Sequence, residues 1–281
     1  MNVKQVLQKY QLSFSSRLSQ NFLHNENIAD RIVERANIQA KDTVLEIGTG
    51  LGILTRALFK KKCHIVTFET DQKLLAHMPN LLGADMNVEV IQGDFLKFDL
   101  DTLKNRFEKI KVVANLPYHI STEILFRLFE YRTWIDSITV MLQKEVAQRM
   151  EAEPGSKTYG VLSVMTQLYT KPEICFTVSR GCFYPVPNVD SSVIHLKARK
   201  KLPIPEDLET LFIQTVKTAF QQRRKVVTNS LKHFVPPISF TQELQKCGID
   251  PTRRIETFSM KELVTLTKAV RTVQTATLLH S

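Results

Sequence analysis

Two hydrophobic periods alternate along the chain up to about residue 200. Short β-prone runs lie at 43–47, 64–69, 87–91, 110–115 and 135–142. Stretches with helical spacing of apolar residues lie between and beyond them, at 51–60, 72–80, 120–130, 143–151 and 160–169. Because strands that alternate with helices usually pair in parallel, the pattern predicts an α/β fold with helices on both faces of a parallel sheet.

Two later β-rich runs, 172–179 and 192–198, flank a segment that contains two prolines. We expect these runs to form an antiparallel hairpin at the edge of the sheet. Sequential parallel strands closed by such a hairpin give a seven-stranded mixed sheet, the Rossmann-like architecture of class I methyltransferases. Residues 1–20 lack strong periodicity and are interpreted as an N-terminal arm.

The pattern changes beyond residue 200. The segment Leu202-Pro-Ile-Pro205 is interpreted as a linker. Short helices are predicted after it, at 206–222, 224–233, 240–246 and 260–270. The predicted organisation is therefore a main domain over residues 1–200 and a small α-helical domain over residues 201–281.

A glycine-rich turn follows the predicted strand 43–47. Gly48, Gly50 and Gly52 occupy alternate positions there, and glycine permits both a sharp turn and the close approach of a ligand. Glu69 lies 21 residues after Gly48, at the end of the next strand, where a carboxylate can accept both hydroxyls of a ribose. The G-x-G-x-G spacing favours S-adenosylmethionine over a nicotinamide dinucleotide. An ordinary turn with a surface glutamate is the alternative interpretation.

Two further polar segments end the third and fourth predicted strands. Parallel strands place their carboxyl ends along one edge of the sheet, where ligands bind. Asp94 follows the third strand and is a candidate acceptor for an adenine amine, although a simple Gly-Asp turn is an equally good interpretation.

The segment Asn115-Leu-Pro-Tyr118 ends the fourth strand and suits transfer of a methyl group to an adenine N6. This amine is a poor nucleophile because its lone pair is delocalised into the ring. The side-chain oxygen of Asn115 and the carbonyl of Leu116 can each accept a hydrogen bond from one of its two N–H groups. Pro117 stiffens the turn, and Tyr118 offers a flat face for base stacking. Because a sulfonium donor is already electrophilic, alignment and electrostatics can supply most of the rate.

A base within folded RNA must be swung out before it reaches such a site. In the loop 183–192 two prolines hold an extended chain, and Phe183 is a candidate to stack on the other face of the base. Packing of Phe183 into the core is the alternative.

The net charge of +10 is concentrated near one end of the chain. Residues 198–281 carry 14 basic and 7 acidic side chains, which predicts a polyanionic partner and most simply nucleic acid. Candidate phosphate contacts are Arg223, Arg224, Lys225, Asn229, Lys232, Arg253 and Arg254. For each of these taken alone, a solvated surface is the better interpretation, as it is for Lys144, Glu145 and the cluster 60–62.

Other features exclude several classes of protein. The four cysteines are scattered without C-x-x-C spacing, so neither disulfides nor a metal site are expected. No apolar run is long enough to span a membrane, and no secretion signal is recognised. We therefore expect a cytoplasmic protein that does not associate with membranes.

Taken together, the motifs resemble those of the ribosomal RNA adenine N6,N6-dimethyltransferase family. The resemblance runs through Gln20-Asn-Phe-Leu23, Val44-Leu-Glu-Ile-Gly48, Asn115-Leu-Pro-Tyr118, Met141-Leu-Gln-Lys-Glu145, Ser156-Lys-Thr-Tyr-Gly160, the Phe183 loop, Gln222-Arg-Arg-Lys225, Asn229-Ser-Leu231 and Gly248-Ile-Asp-Pro251. It implies an enzyme that methylates two adjacent adenines near the 3′ end of small-subunit rRNA, acting as a monomer on the immature small subunit.

The resemblance also implies roles for particular residues. An S-adenosylmethionine site would be lined by Asn21, Leu23, Gly48, Glu69, Asp94 and Asn115. Asn115, Leu116, Pro117, Tyr118 and Phe183 would handle the target base, and Arg223, Arg224 and Lys225 would contact RNA. Three positions depart from the family pattern, namely Ser19 for glycine, Thr49 for proline and Thr70 for an apolar residue. The change at Thr49 is the one expected to loosen the glycine turn.

Two other functions compete with this interpretation. A large-subunit rRNA adenine methylase of the antibiotic-resistance type would share the fold, but the Arg-Arg-Lys and Gly-Ile-Asp-Pro motifs argue against it. A ribosome-assembly or transcription factor that binds nucleic acid without catalysis would not need the intact Asn115-Leu-Pro-Tyr118 segment.

Overall fold

The computed structural model describes residues 3–12, 20–83 and 86–279. Contacts between residues divide the chain into two compact units. The first unit comprises Met1–Ala147 and Lys171–Ala198, and the second comprises Gln148–Thr170 and Arg199–Ser281. The last junction falls close to the predicted boundary at residue 200, but residues 148–170 join the second unit. The two-domain division itself stays a prediction.

Nine strands form two sheets in the part of the first unit that the structure describes. In chain order they are β1 (Phe22–Leu23), β2 (Thr43–Ile47), β3 (His64–Glu69), β4 (Glu89–Gln92), β5 (Ile110–Asn115), β6 (Ile135–Gln143), β7 (Thr170–Val178), β8 (Phe183–Tyr184) and β9 (Ser191–Ala198). The large sheet has seven strands in the order β4-β3-β2-β5-β6-β9-β7, and β1 pairs with β8 in a small second sheet. The predicted seven-stranded mixed sheet is confirmed.

The direction of the strands follows the predicted pattern. β4, β3, β2, β5 and β6 are parallel, and β9 runs antiparallel to β6. β9 lies between β6 and β7, so β7 is the edge strand. This order agrees with burial, because most of β9 is buried whereas β7 is largely exposed or half-buried.

Helices cover both faces of the sheet. The helices of the first unit are α1 (Val3–Lys9), α2 (Glu26–Arg35), α3 (Ile53–Phe59), α4 (Gln72–Leu82), α5 (Asp101–Lys104) and α6 (Ser121–Glu130). The next helix, α7 (Lys144–Glu151), contains the boundary between Ala147 and Gln148. Successive side chains of a strand point to opposite faces, yet the last four residues of β2 are all buried. Both faces at β2 are therefore covered, as expected for a parallel sheet.

The segment interpreted as an N-terminal arm contains the helix α1. Its Val3 and Leu7 are buried and belong to one apolar cluster with Phe22, Leu51 and Met78. No such signal is visible in the sequence because a helix of two turns offers too few positions for a period to be recognised. The departure at Ser19 lies outside the described residues.

The second unit is helical. It contains α8 (Val161–Tyr169), α9 (Glu209–Gln221), α10 (Val227–Ser230), α11 (Pro237–Lys246) and α12 (Met260–Leu279). α9 and α11 pack against α12, with Phe212, Phe240 and Phe258 fully buried. The helix predicted over 224–233 is shorter than expected because Val226 is extended and forms a β-bridge with Arg254.

Among the described residues, no helix is both long enough and apolar enough to cross a membrane.

Candidate active site

A cavity of about 260 Å³ lies at the carboxyl ends of the central strands. β3 and β4 lie on one side of β2, whereas β5 and β6 lie on the other. The order of the strands along the chain therefore reverses between β2 and β5. Ligands of open α/β sheets bind at this point. The predicted site residues that line the cavity are Asn21, Gly48, Glu69, Asp94, Asn115, Leu116, Pro117 and Tyr118.

The glycine turn between β2 and α3 has backbone angles that favour glycine. The φ values of Gly48, Gly50 and Gly52 are +83°, +56° and +74°. At Gly52 a Cβ atom would lie 2.4 Å from Leu82 Cδ2, so even an alanine would force the side chain of α4 away. The turn is thus closed by packing on one side and open to the cavity on the other.

Glu69 joins the end of β3 to the glycine turn. Its Oε2 accepts a hydrogen bond of 2.9 Å from the Gly50 N–H, and its Oε1 accepts bonds from the N–H groups of Thr70 and Asp71 at 2.8 and 2.9 Å. Burial raises the pKa of Glu69, while these three donors oppose the shift. Thr70, where the family pattern has an apolar residue, keeps its contact with Glu69 because its backbone N–H and not its side chain is the donor.

The departure at Thr49 is matched by a buried hydrogen bond. Thr49 Oγ1 lies 2.7 Å from Thr67 Oγ1 of β3, and the Thr49 N–H donates to the Phe68 carbonyl at 3.1 Å. Both threonine side chains are almost fully buried. The turn is therefore attached to β3 through the side chain and the backbone of Thr49, and the loosening expected at this position stays a prediction.

A buried carboxyl group lies next to this bond. Glu46 is the register partner of Thr67 and is fully buried. Its Oε2 accepts a hydrogen bond of 2.7 Å from Thr55 Oγ1, and its Oε1 has no hydrogen-bond partner in the described part of the chain. Burial raises its pKa to about 8, against the opposing effect of the Thr55 and Thr67 hydroxyls. Glu46 is consequently protonated at neutral pH, which avoids a charge in the core.

We expect the wild-type chain to lose stability as pH rises, and we expect Glu46→Gln to abolish this pH dependence. The folded chain holds the Glu46 proton up to about pH 8, whereas the unfolded chain releases it near 4.5, the ordinary pKa of a glutamate side chain. The stabilisation that Glu46 contributes is therefore complete below its pKa in the unfolded chain and is lost as pH rises through its pKa in the folded chain. Thermal unfolding between about pH 5 and pH 9 should show the wild-type Tm falling relative to that of the variant.

The control for this experiment is Glu34→Gln, on the exposed surface of α2. That variant should follow the wild-type pH profile. A constant Tm difference between Glu46→Gln and wild type over the same range would show that Glu46 is ionised in the folded chain.

Asn115 ends β5 with one side-chain atom paired and the other unpaired. Its Nδ2 donates to the Asn21 carbonyl at 3.4 Å, which sets the orientation of the amide. Its Oδ1 is buried and has no hydrogen-bond partner within residues 3–12, 20–83 and 86–279. A buried acceptor without a donor costs free energy, so a ligand that brings an N–H group is favoured at this position.

The turn after Asn115 is held by backbone and side-chain contacts. The Leu116 N–H donates to the Met141 carbonyl of β6 at 2.9 Å, and Pro117 has a φ of −58°. The Tyr118 hydroxyl lies 2.6 Å from Ser191 Oγ. Burial raises the pKa of the Tyr118 hydroxyl, which keeps it protonated. The aromatic ring of Tyr118 thus forms a fixed part of the cavity wall.

Asp94 lies on the same wall as Glu69. Its Oδ1 accepts a hydrogen bond of 2.9 Å from the Leu96 N–H, and the Gly93 N–H donates to the Glu69 carbonyl at 2.9 Å. The turn geometry expected of a Gly-Asp pair is present, and Asp94 also lines the cavity.

Two predicted site residues do not line the cavity. Leu23 and Phe183 are paired with each other across β1 and β8, and their side chains are 2% and 1% exposed in one apolar cluster. For Phe183 the structure therefore matches the alternative of core packing. The stacking role of Phe183 and the ligand contact of Leu23 have no support from this arrangement.

Several cavity residues were not among the predicted site residues. They include Gln20, Phe22, Phe68, Phe95, Leu96 and Ile124. Phe68 directly precedes Glu69 and Phe95 directly follows Asp94, so an aromatic residue beside an acid at a strand end was the available signal. Gln20 donates to Asp71 at 2.7 Å, a contact across 51 residues that no local pattern indicates.

The three basic residues predicted to contact RNA differ in their surroundings. Arg223 forms an ion pair with Glu256 and donates to the carbonyls of Lys157 and Ser156 at 2.8 and 3.1 Å. Arg224 and Lys225 are exposed. Within the second unit, Arg223 is thus engaged by the fold, whereas its two neighbours face solvent.

Comparison with known proteins identifies the family of this chain. The model of the family described as "Ribosomal RNA adenine dimethylase" matches residues 11–271. The protein "Ribosomal RNA small subunit methyltransferase A" of Bacillus mycoides (strain KBAB4) is 42% identical over 276 residues, covering 95% of this chain and 94% of the relative. The protein of the same name from Bacillus cereus (strain B4264) has the same identity and coverage.

Two solved structures share most of the fold. A dimethyladenosine transferase from Plasmodium falciparum superposes with a TM-score of 0.76 at 26% identity, covering 90% of this chain and 98% of that one. The 23S rRNA methyltransferase ErmE gives a TM-score of 0.71 at 25% identity, covering 89% and 100%. Because the family model matches residues 11–271, nearly the whole of this chain, the chain belongs to the ribosomal RNA adenine dimethylase family.

Proposed function

We propose that this protein transfers methyl groups from S-adenosylmethionine to N6 of two adjacent adenines near the 3′ end of small-subunit rRNA. The observation that carries the proposal is that Asn115 and Glu69 line one cavity and that the buried Oδ1 of Asn115 has no hydrogen-bond partner among the described residues. An acceptor without a donor beside a candidate ribose-binding carboxylate fits an enzyme that brings an amine to a nucleoside-derived donor. The names of the Bacillus relatives support the small-subunit substrate.

The residues of the cavity fit S-adenosylmethionine. Gly48 and Gly50 leave room for a ligand against the turn, and the Glu69 carboxylate would accept the ribose hydroxyls. Phe68 and Phe95 provide apolar surface for a purine, and Asp94 would accept its exocyclic amine. When bound, S-adenosylmethionine supplies a methyl group on a positively charged sulfur, which even a weak nucleophile can accept.

The chain itself prepares the adenine. Asn115 Oδ1 and the Leu116 carbonyl each accept a hydrogen bond from one N6–H. These two bonds favour the geometry in which the nitrogen lone pair is localised. Tyr118 stacks on the base and holds it in line for transfer. Rate enhancement then comes from alignment and fixed dipoles, and no strong general base is required.

The test uses purified protein, immature small ribosomal subunits and labelled S-adenosylmethionine. Label in dimethyladenine near the 3′ end of the small-subunit RNA is the expected result. Label confined to large-subunit RNA would indicate the activity in the name of the ErmE neighbour instead. Tight RNA binding without any label would indicate a binding factor and overturn the proposal.

The exposed basic pair Arg224 and Lys225 is proposed to contact RNA phosphates. The double variant Arg224→Ala/Lys225→Ala should reduce the slope of log affinity against log salt by about one for each lost contact, because fewer counterions are released. RNA binding measured over a series of salt concentrations checks this. The double variant Lys41→Ala/Lys61→Ala removes two exposed charges from the first unit and is the matched control.

The slope of this control should stay close to that of wild type. Equal slopes for wild type and Arg224→Ala/Lys225→Ala would remove this pair from the RNA interface. Arg223→Ala is unsuitable for the experiment because its guanidinium holds Glu256 and two carbonyls of the fold.

A further inference from the structure

The hydroxyl of Tyr118 is held by a serine from a distant part of the chain. Tyr118 begins the short 3₁₀ turn Tyr118–Ile120 that follows β5, and Ser191 is the first residue of β9. Their oxygens lie 2.6 Å apart, and the Ser191 side chain is fully buried. Because β6 separates β5 from β9 in the sheet, this bond passes over the end of an intervening strand.

The position of Ser191 is itself fixed by its neighbours. Ser191 pairs with Gln143 at the end of β6. The preceding residue, Asp190, accepts a hydrogen bond of 2.9 Å from the Arg180 N–H through Oδ1, and its carbonyl accepts one of 3.0 Å from the Lys144 N–H. Backbone on both sides of the strand therefore holds the serine, which makes it a stable anchor for a partner.

An anchored hydroxyl determines how the Tyr118 ring stands in the cavity. The ring has only two side-chain torsions, and Pro117 restricts the backbone immediately before it. With its far end bonded to Ser191, the ring cannot rotate freely about either torsion. Its face is thus oriented before any base arrives, and a preset orientation lowers the cost of alignment.

We propose that Ser191 is a positioning residue that sets the plane of the Tyr118 ring against which the target base stacks. This inference rests on the proposed function, since it concerns the same base and the same cavity. Ser191 acts through Tyr118 and does not contact the reacting atoms. A purely structural alternative is that the bond only satisfies two buried hydroxyls, which would affect stability and leave turnover unchanged.

Kinetics of three variants distinguish these roles. Ser191→Ala and Tyr118→Phe each remove the bond, from opposite sides, and both keep the aromatic ring. Each should lower kcat for adenine methylation about tenfold, with the KM for S-adenosylmethionine changed less than about twofold. The double variant should be no slower than the slower single variant, because both changes remove the same interaction.

Ser192→Ala is the matched control. Ser192 is the next residue of β9, is 1% exposed, and points to the opposite face of the sheet. Its kcat should equal that of wild type even if its Tm falls as far as that of Ser191→Ala. Tyr118→Phe leaves β9 untouched, so it tests the inference even if Ser191→Ala fails to fold.

The outcomes separate the inference from the function on which it rests. Wild-type kcat in Ser191→Ala or in Tyr118→Phe would overturn the positioning role while leaving adenine methylation in place. Additive losses in the double variant would also overturn it, since the two residues would then act independently. A wild-type enzyme that methylates no adenine would overturn the proposed function itself.

Discussion

Asn115→Ala is expected to slow adenine methylation about 10²- to 10³-fold, the range measured for removal of one fixed polar group that acts in a transition state. The buried Oδ1 has no partner among the residues that the structure describes, and in the proposed mechanism it accepts a hydrogen bond from the amine of the substrate. Alanine removes this acceptor and leaves N6 free to adopt geometries in which its lone pair stays delocalised. Single-turnover methylation of immature small subunits measures the chemical step directly.

Binding of S-adenosylmethionine should change little in the same variant. Glu69 and the glycine turn, where the proposed ribose contact lies, do not depend on the Asn115 amide for any of their hydrogen bonds. Asn105→Ala, an exposed asparagine of the same unit, is the matched control and should behave as wild type. Turnover of Asn115→Ala within about threefold of wild type would exclude Asn115 from the mechanism.

Glu69→Gln is expected to weaken S-adenosylmethionine binding about 100-fold, because hydrogen bonds that involve a charged group are strong and costly to lose. The Glu69 carboxylate uses both oxygens to accept three backbone N–H groups, one of them from Gly50. A glutamine must aim its NH₂ group at one set of these donors, so part of the turn is repelled while the ribose loses a charged acceptor. Calorimetric titration with S-adenosylmethionine gives the dissociation constant.

Glu89→Gln is the control for this titration. Glu89 begins the neighbouring strand β4, pairs with Arg106 on the surface and does not line the cavity. Its dissociation constant should match that of wild type. An unchanged constant in Glu69→Gln would show that the ribose of the ligand binds elsewhere, and a loss confined to kcat at saturating ligand would lead to the same conclusion.

Local patterns were sufficient for the part of the site that lies at strand ends. Glu69 and Asn115 each close an apolar run, and parallel strands deliver such residues to one edge of the sheet whatever the rest of the chain does. For the same reason the bounds of β2, β3 and β5 match the predicted runs. These predictions needed only a period and a terminating residue, both of which are visible in a short window.

Features that depend on distant contacts were not visible in this way. Leu23 and Phe183 are buried because two strands of two residues each, far apart in sequence, pair with each other. Neither strand is long enough to show alternation, so no period could indicate which side chains turn inward. Arg223 is similar, since its engagement with Glu256 and two carbonyls depends on how the helices of the second unit fold together.

The hydrogen bonds of Thr49 link the glycine turn to a second position. A proline at position 49 would have neither an N–H to give to the Phe68 carbonyl nor a hydroxyl to share a hydrogen bond with Thr67. The Thr67 hydroxyl would then lose this partner in a fully buried place, which is costly. The cost of Thr49→Pro therefore depends on the residue at position 67, so substitutions at these two sites are energetically coupled.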